Sequence, residues 1–269
     1  MLTFVMKYPI RMAKPLLAGL FTLLAMPFVP LAAAEEFRPL FNGRDLTGWD
    51  GNPALWSVKD GAITGVVAGP ETLAYNQFII WRGGTVKNFE LHAKIRQLGN
   101  NTGIQYRSHE LPDVGRWSVS GYQCDIHSRL SSNGKLYEER ARTTLAENGQ
   151  SVVIDPQGTK WLVSQREPVK VDANQWNDFT VIARGNHVIH MINGHVTVDV
   201  VDFESKARAV EGILAFQIHR GPAMDVQIKD VLLKVLPDTP DAPFTKDRIP
   251  AGATKIESVT PAPVPAAKK

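Results

Sequence analysis

The sequence contains one cysteine, Cys124, so it can form neither an intramolecular disulfide nor a cysteine-based zinc site. It also lacks a dense cluster of lysine and arginine. The formal net charge of +3 comes entirely from the first 34 residues, and residues 35–269 are formally neutral. We therefore expect no nucleic acid among the partners of the protein. Since 43% of the residues are hydrophobic and 21% are charged, disorder of the whole chain is also excluded.

Long helical patterns are scarce, and the best of them, over residues 135–146, is weak. Alternation with a period of two is common instead. Residues 89–96 alternate between apolar and polar side chains, as a strand does when one of its faces is buried. Many short strands separated by turn signals, without an internal repeat, predict an all-β fold of the sandwich or jelly-roll type.

The dipeptide Asn193-Gly194 is typical of a two-residue β-hairpin turn, because both of its residues tolerate positive φ. Pairing outward from this turn predicts an apolar face made of two cross-strand pairs, Met191 with Val196 and Ile189 with Val198. The histidines around the turn are then expected at the surface: His187, His190 and His195.

The N-terminal residues 1–34 have the layout of a secretory signal peptide. A basic segment precedes an apolar stretch over residues 16–29, and Ala32-Ala33-Ala34 is a small-residue cleavage site. We expect cleavage after Ala34 and a periplasmic or secreted protein without a membrane span. The alternative is a membrane anchor. It is disfavoured because the apolar run is short for a span of about 20 residues and contains Pro27.

The C-terminal residues 237–269 hold seven of the 18 prolines and show no periodicity. Such a composition predicts a disordered, Pro/Ala-rich tail. Residues 37–236 remain as the folded part, and the absence of an internal linker predicts a single domain.

Three predicted strands carry unusually many hydrogen-bonding and titratable side chains on the face opposite their apolar residues. If the strands are neighbours, one sheet face suits a polyhydroxylated ligand; the alternative is a solvated outer face. A second polar cluster, at Tyr137, Glu138, Glu139 and Arg140, is either part of this site or a surface charge run. The strand residues are Gln105, Arg107, Gln123, Asp125, His127, Gln217 and His219.

These residues belong to a longer series of motifs in a fixed order. The sequence resembles the 3-keto-disaccharide hydrolase family over residues 38–236. The motifs that carry the resemblance are Phe41-Asn42-Gly43-Arg44-Asp45-Leu46-Thr47-Gly48-Trp49, Trp56-Ser57-Val58-Lys59-Asp60-Gly61, Asn101-Thr102-Gly103-Ile104-Gln105-Tyr106-Arg107, Gly121-Tyr122-Gln123-Cys124-Asp125-Ile126, Leu136-Tyr137-Glu138-Glu139-Arg140 and Gln217-Ile218-His219.

The resemblance implies a concanavalin-like (LamG-like) jelly-roll β-sandwich of two antiparallel sheets. It also implies an exported enzyme that cleaves glycosides already oxidised to a ketone at C3. A C3 ketone acidifies the C2 hydrogen, so a base can form an enolate, the C1–O bond can leave by β-elimination, and water can then add. Asp125, His127 and His219 are the candidate proton carriers, Arg107 the candidate enolate stabiliser and Glu138 the candidate acid.

Retaining jelly-roll glucanases carry an E-x-D-x-E strand motif, but both outer carboxylates are missing from the segment Gln123-Cys124-Asp125-Ile126-His127. A mechanism with two carboxylates is therefore disfavoured. Trp81 and Trp117 are candidate sugar platforms, whereas Trp49, Trp56 and Trp176 are expected to pack. The residues expected to bind substrate are Gln105, Gln123, Gln217, Trp81, Arg82, Trp117, Tyr137, Glu139 and Arg140.

No cofactor is required by the sequence, although a divalent metal could polarise the C3 carbonyl. Its candidate ligands are Asp125, His127, Glu138 and His219, but no compact ligand motif joins them. Two other functions fit the same fold: a non-catalytic carbohydrate-binding module, and an envelope scaffold tethered by its tail. A convergent set of titratable groups would favour the enzyme.

Overall fold

The computed structural model describes residues 36–69, 73–127, 129 and 132–257. The expected signal peptide and residues 258–269 lie outside this part of the chain. No helix in the described part is long and apolar enough to cross a membrane.

The strands of the described residues form two β-sheets. The larger sheet contains β1 (Arg38–Pro39), β3 (Trp56–Lys59), β4 (Ala62–Val67), β6 (Phe89–Leu98), β11 (Gln150–Ile154), β12 (Lys160–Gln165), β13 (Asn177–Arg184), β14 (His187–Ile192), β15 (His195–Asp202), β17 (Met224–Val235) and β18 (Thr254–Ile256). The smaller sheet contains β2 (Trp49–Asp50), β5 (Gln77–Trp81), β7 (Asn101–Glu110), β8 (Val119–His127), β9 (Leu136–Glu139), β10 (Thr143–Ala146) and β16 (Ile213–Ile218).

Ten of the eleven strands in the larger sheet lie in the order β18-β12-β11-β15-β14-β13-β6-β17-β4-β3, and the eleventh, β1, pairs with β17. The order of the seven strands in the smaller sheet is β10-β9-β8-β7-β16-β5-β2.

The pairing is antiparallel throughout, except that β11 and β15 run parallel. This all-β sandwich confirms the predicted fold class. The weak helical pattern over residues 135–146 was misleading, because these residues form β9 and β10 and pair with each other as a hairpin. A single 3₁₀ turn, Lys246–Arg248, is the helical element of the described residues.

The main core lies between the two sheets. The alternation over residues 89–96 is confirmed, since every second residue of β6 is buried. Cys124 is fully buried, and burial raises the pKa of its thiol. Trp49 and Trp56 pack in this core as expected, and the Trp49 ring stacks on Phe216.

The Asn193-Gly194 turn joins β14 to β15 with positive φ at both residues, as predicted. Met191 pairs with Val196, also as predicted, but a bulge between His190 and Met191 shifts the register. His190 lies opposite Val198 and is fully buried, so its expected surface position is wrong. The alternation within β14 is regular, and its buried face consists of Val188, His190 and Ile192. Because the other face of β14 also carries apolar residues, the sequence pattern does not show which face is buried.

Residues 237–257 contact the sandwich in the structure, within the segment that the sequence predicts as a disordered tail. Asn186 accepts a hydrogen bond from the Ala242 backbone, and the Phe244 ring meets Phe203 edge to face. β18 then pairs with β12 and covers one edge of the larger sheet. Covering an edge strand removes a site for unwanted strand pairing.

The buried His190 makes folding stability depend on pH. Burial lowers the pKa of His190 to about 4, from an ordinary value of 6.5. The unfolded chain therefore binds this proton at a higher pH than the folded chain, and stability is lost as pH falls from 6.5 towards 4. We expect the free energy of unfolding to fall by about 3 kcal/mol more over this range than in His190→Gln. Urea denaturation of both proteins measures the difference, and parallel pH profiles would contradict it.

Candidate active site

The face of the smaller sheet that points away from the core carries a continuous set of polar side chains. On β8, Tyr122, Cys124 and Ile126 belong to the core, so the alternate residues lie on the opposite face. The register places Gln105 opposite Gln123, and Gln123 opposite Tyr137. We call this surface the polar face. Its members include Gln105, Gln123, Asp125, His127, Tyr137, Glu139, Gln217 and His219.

Asp125 is the central charge of the polar face and is only 3% exposed. Its Oδ1 accepts hydrogen bonds from Asn101 Nδ2 at 2.8 Å and from Gln123 Nε2 at 3.0 Å. Lys135 Nζ lies 3.2 Å from its Oδ2. These three donors replace the water that the carboxylate loses on burial.

Four buried amide oxygens on the polar face have no hydrogen-bond donor among the described residues. Their amide nitrogens are already in use: Gln105 donates to the Gly121 carbonyl, and Gln217 donates to Glu139. Because a carboxylate or a carbonyl only accepts, each amide must turn its oxygen away from that partner. The four oxygens are Gln105 Oε1, Gln123 Oε1, Gln217 Oε1 and Asn101 Oδ1.

Gly103 lies opposite Asp125, in the middle of the polar face. A Cβ atom at Gly103 would stand 2.6 Å from Cγ and Cδ of Gln123. The missing side chain therefore lets Gln123 lie flat over β7 and reach Asp125.

Glu139 is a second buried carboxyl group of the polar face. It accepts hydrogen bonds from Asn76 Nδ2 at 3.1 Å and Gln217 Nε2 at 3.3 Å, and Arg140 Nε lies 4.0 Å from it. Loss of water by burial nevertheless raises the pKa of Glu139, and the charge of Asp125 raises it further. A carboxyl group with a raised pKa is suited to proton transfer.

His219 directly follows β16 and is partly buried. Its Nδ1 lies 2.5 Å from the Arg220 carbonyl oxygen, which can only accept, and 3.1 Å from Asn100 Nδ2, which can only donate. The shorter contact favours the tautomer that has the proton on Nδ1 and a lone pair on Nε2. Burial lowers the pKa of His219, which favours this neutral form. Asn76 accepts a hydrogen bond from the Arg220 backbone while it donates to Glu139, so one amide connects Glu139 to the backbone next to His219.

His127 ends β8 beside Asn101. Its Nδ1 accepts a hydrogen bond from the Arg129 backbone at 3.0 Å, which places the ring proton of the neutral form on Nε2. Burial lowers the pKa of His127, and the nearby Arg129, Lys135 and His219 act in the same direction. His127 and His219 therefore lie in one electrostatic environment together with Asp125.

Glu138 lies on the opposite side of β9 and is not part of the polar face. It is paired with Tyr122 and buried between the sheets. Its Oε2 lies 2.5 Å from Arg142 Nε, and Arg142 also binds Asp202 at 2.8 Å. The predicted site position of Glu138 is wrong, since successive strand residues point to opposite faces; Glu139 occupies the polar face instead.

Arg107 is also absent from the polar face. A bulge in β7 between Tyr106 and His109, with φ of +46° at Arg107, turns its side chain away. The guanidinium is 2% exposed and donates to the Lys87 and Gly185 carbonyls, at 2.8 Å each for Nε and Nη1. Arg107 thus holds the connection before β6, at Lys87, and the connection after β13, at Gly185. Its expected position beside the substrate is wrong.

The two candidate platform tryptophans differ in position. Trp81 packs in the main core, so its expected exposure to a sugar is wrong. Trp117 is partly buried against Phe78 and Ile80, and its Nε1 donates to Asp50. Arg82 pairs with the same Asp50 at 2.7 Å, so Trp117 and Arg82 form a linked group.

The four candidate metal ligands do not converge, because Glu138 faces the core while the other three lie on the polar face. Across the described ranges, no group of three or more His, Cys, Asp or Glu side chains could hold a metal ion.

Sequence reasoning missed three residues of the polar face: Asn76, Asn101 and Lys135. Lys135 is the cation nearest to Asp125, and Asn76 joins Glu139 to the backbone beside His219. Asn76 and Lys135 precede strands rather than lie within them, so alternation could not place them. Asn101 stood inside a quoted motif, but its type gave no reason to select it.

Comparison with known proteins identifies the family. Residues 36–234 match the family described as the 3-keto-alpha-glucoside-1,2-lyase-like domain. The chain belongs to this family. No curated protein matches the sequence.

Two solved structures illustrate the fold. A proposed glycosyl hydrolase from Parabacteroides distasonis is 19% identical, with a TM-score of 0.50 over 76% of this chain and 95% of that protein. A Bacillus subtilis protein of unknown function with a galectin-like fold is 12% identical, with a TM-score of 0.52 over 76% of this chain and 96% of that protein. At these identities the likeness concerns the fold alone, and it agrees with the jelly-roll prediction.

The opposite orientations of Glu138 and Glu139 predict opposite effects on stability. Glu138→Gln removes the charge that faces buried Arg142, and we expect a loss of about 2 kcal/mol. Glu139→Gln removes a carboxylate that burial disfavours, so we expect equal or higher stability at neutral pH. Urea denaturation at pH 7 checks both variants, and a larger loss in Glu139→Gln would contradict the assignment of faces.

Proposed function

We propose that the protein cleaves 3-keto-glycosides by C2 proton abstraction, β-elimination and hydration. The observation that carries this proposal is the set of four donor-free amide oxygens beside two titratable groups, Glu139 and His219. Membership of the 3-keto-alpha-glucoside-1,2-lyase-like family supports the substrate class. We further propose that the protein acts in the periplasm or outside the cell after removal of residues 1–34.

The amide oxygens are suited to a polyhydroxylated ligand. A buried acceptor without a donor costs about 1–3 kcal/mol, so a ligand that supplies hydroxyl donors recovers this free energy. A sugar presents several such donors at spacings comparable to those of neighbouring strands. Glutamines from three adjacent strands, β16, β7 and β8, carry three of these oxygens. Because the oxygens are shielded from solvent, we propose that the side chains covering them move aside when a sugar binds.

His219 is the base of the proposed first step. Its Nε2 lone pair accepts the C2 proton, and the C–H electrons form the C2–C3 double bond of an enolate while the C3 oxygen gains negative charge. Lys135, rather than Arg107, is the cation that stabilises this oxygen, because Lys135 lies on the polar face. Fixed charges aimed at developing charge are among the largest contributions to catalysis.

Glu139 is the acid of the second step. The enolate electrons re-form the C3 carbonyl, the C1–C2 double bond forms, and the C1–O bond breaks as the leaving oxygen takes the Glu139 proton. Water then adds its oxygen to C1 and gives a proton to Glu139, while His219, whose ring proton has exchanged with solvent, protonates C2. The net reaction consumes one water and releases the 3-keto sugar and an alcohol.

A second candidate function is a carbohydrate-binding module without catalysis. The same donor-free oxygens support it, because binding alone also satisfies them. The two candidates separate at Glu139 and His219, because catalysis requires these groups to transfer protons and binding does not.

A direct test compares a 3-keto-glycoside with its unoxidised counterpart in D₂O, with and without a chelator. We expect cleavage of only the keto substrate, with deuterium at C2 of the released sugar, because C2 loses and regains a proton. Mass spectrometry measures both. Cleavage without deuterium at C2 would contradict the elimination, binding without cleavage would favour the binding module, and loss on chelation would add a metal requirement.

The pKa shifts predict the pH profile of kcat/KM. His219 must be neutral and Glu139 protonated, so the rate falls in acid as His219 gains a proton and falls in alkali as Glu139 loses one. Burial lowers the pKa of His219 from 6.5 and raises that of Glu139 from 4.5, which brings the two limbs together on the acidic side of neutrality. We expect a bell-shaped profile with its maximum below pH 7.

Substitutions show which residue causes each limb of the pH profile. Glu139→Gln should lower kcat about 100-fold or more and remove the alkaline limb, and His219→Gln should do the same for the acid limb. The exposed residues Glu167 and His195 supply matched controls, Glu167→Gln and His195→Gln, which should leave the profile unchanged. A wild-type profile in Glu139→Gln would contradict its role as the acid.

A further inference from the structure

His190 lies below the polar face, in the interface between the sheets, and makes two hydrogen bonds there. Its Nδ1 lies 3.2 Å from the Gly134 carbonyl oxygen and its Nε2 lies 2.7 Å from the Tyr106 hydroxyl. The carbonyl only accepts, so Nδ1 carries the proton; Nε2 therefore accepts and the Tyr106 hydroxyl donates. The hydrogen bonds thus run in one direction, from Tyr106 through His190 to Gly134.

Gly134 is held to the larger sheet by a second hydrogen bond as well. Thr197 Oγ1 donates to the same Gly134 carbonyl at 2.8 Å. Gly134 has φ of +77°, and a Cβ atom there would stand 2.5 Å from Thr197 Oγ1. The close approach therefore depends on glycine. The two hydrogen bonds attach the connection between β8 and β9 to β14, through His190, and to β15, through Thr197.

The residue after Gly134 is Lys135, the cation of the polar face. The Gly134 amide donates to the Asp125 carbonyl at 2.7 Å, and the Asp125 amide donates to the Lys135 carbonyl at 3.1 Å. Lys135 Nζ then returns to the Asp125 carboxylate at 3.2 Å. The position of Gly134 therefore determines the position of the Lys135 backbone. Through the backbone it also determines how the Lys135 ammonium group approaches the Asp125 carboxylate.

We propose that His190 is a positioning residue: by holding the Gly134 carbonyl it fixes the backbone of Lys135 and so aims the Lys135 ammonium group at the site. This inference rests on the proposed function for its catalytic consequence, but its structural part does not. His190 does not touch the polar face, since it is fully buried between the sheets.

Three variants of the full mature chain separate positioning from general stability. His190→Leu loses the bond to Gly134. His190→Asn keeps it, because Asn Nδ2 takes the place of Nδ1, and loses only the acceptor for Tyr106. Tyr106→Phe breaks the same Tyr106–His190 bond and leaves His190 on Gly134.

The first measurement is hydrogen exchange of the Gly134 and Asp125 backbone amides by NMR, which needs no substrate. We expect faster exchange of these amides, relative to amides of β6, in His190→Leu and wild-type protection in His190→Asn and Tyr106→Phe. Wild-type protection in His190→Leu, or equal loss in all three variants, would overturn the proposal.

The second measurement is turnover of the 3-keto-glycoside. We expect kcat to fall about 10- to 100-fold in His190→Leu with KM nearly unchanged, as for a small misplacement of a charged group, and near wild-type kcat in the other two variants. If the wild-type chain cleaves neither substrate, the proposed function fails while the exchange experiment still decides whether His190 holds Gly134. Altered exchange with unchanged kcat would overturn the positioning role.

Discussion

The buried charge of Asp125 is the constraint on which the polar face depends. A carboxylate that has lost nearly all contact with water is stable only when protein donors surround it. Lys135, Asn101 and Gln123 are those donors. Because a carboxylate accepts and never donates, both amides turn their nitrogens towards it and their oxygens away. This one buried charge thereby leaves two of the four donor-free oxygens, Asn101 Oδ1 and Gln123 Oε1, without a partner.

Both faces of the smaller sheet are buried at β8 and β9. Each of these strands therefore places its alternate side chains in two different buried environments. On the core side of β8 and β9, Tyr122 and Glu138 join Arg142 and Asp202 in a closed set of charges and hydrogen bonds. On the other side the amide oxygens stay without donors. A shift of one residue in either strand would exchange these sets, so the core-side ion pairs also help to define the register of the site.

The sequence predicted the elements with regular alternation and failed where the alternation breaks. The strands of Gln105, Gln123, Asp125 and Gln217 have apolar residues at every second position, which is sufficient to place their polar residues on one face. Arg107 lies at a bulge, and an inserted residue leaves no signature in composition. His190 lies in a strand that has apolar residues on both faces, so the pattern did not show which face is buried. The family resemblance predicted the fold, which the structure confirms, but it did not reveal these local changes.

The β9 segment shows a different limit. Glu138 and Glu139 are adjacent residues of one type, so no hydrophobic pattern distinguishes the carboxyl group that faces the core from the one that faces the site. Lys135 and Asn76 could not be predicted for another reason. They reach the site from connections between strands, and the path of a connection depends on tertiary contacts. Their importance follows from Asp125 and Glu139, whose buried oxygens they satisfy.

Burial brings the pKa values of the two proposed proton carriers, Glu139 and His219, closer to each other. The pKa of Glu139 rises because its charged form loses water, and the pKa of His219 falls for the same reason. At their ordinary values, a protonated glutamic acid and a neutral histidine would seldom occur together, whereas converging values raise the population of that combination. A sugar-binding module would gain nothing from this convergence. A two-carboxylate glycosidase would need Asp125 as a second free group, and Lys135 already occupies it. The proposed elimination needs only one base and one acid, and His219 and Glu139 are the groups that we propose for these roles.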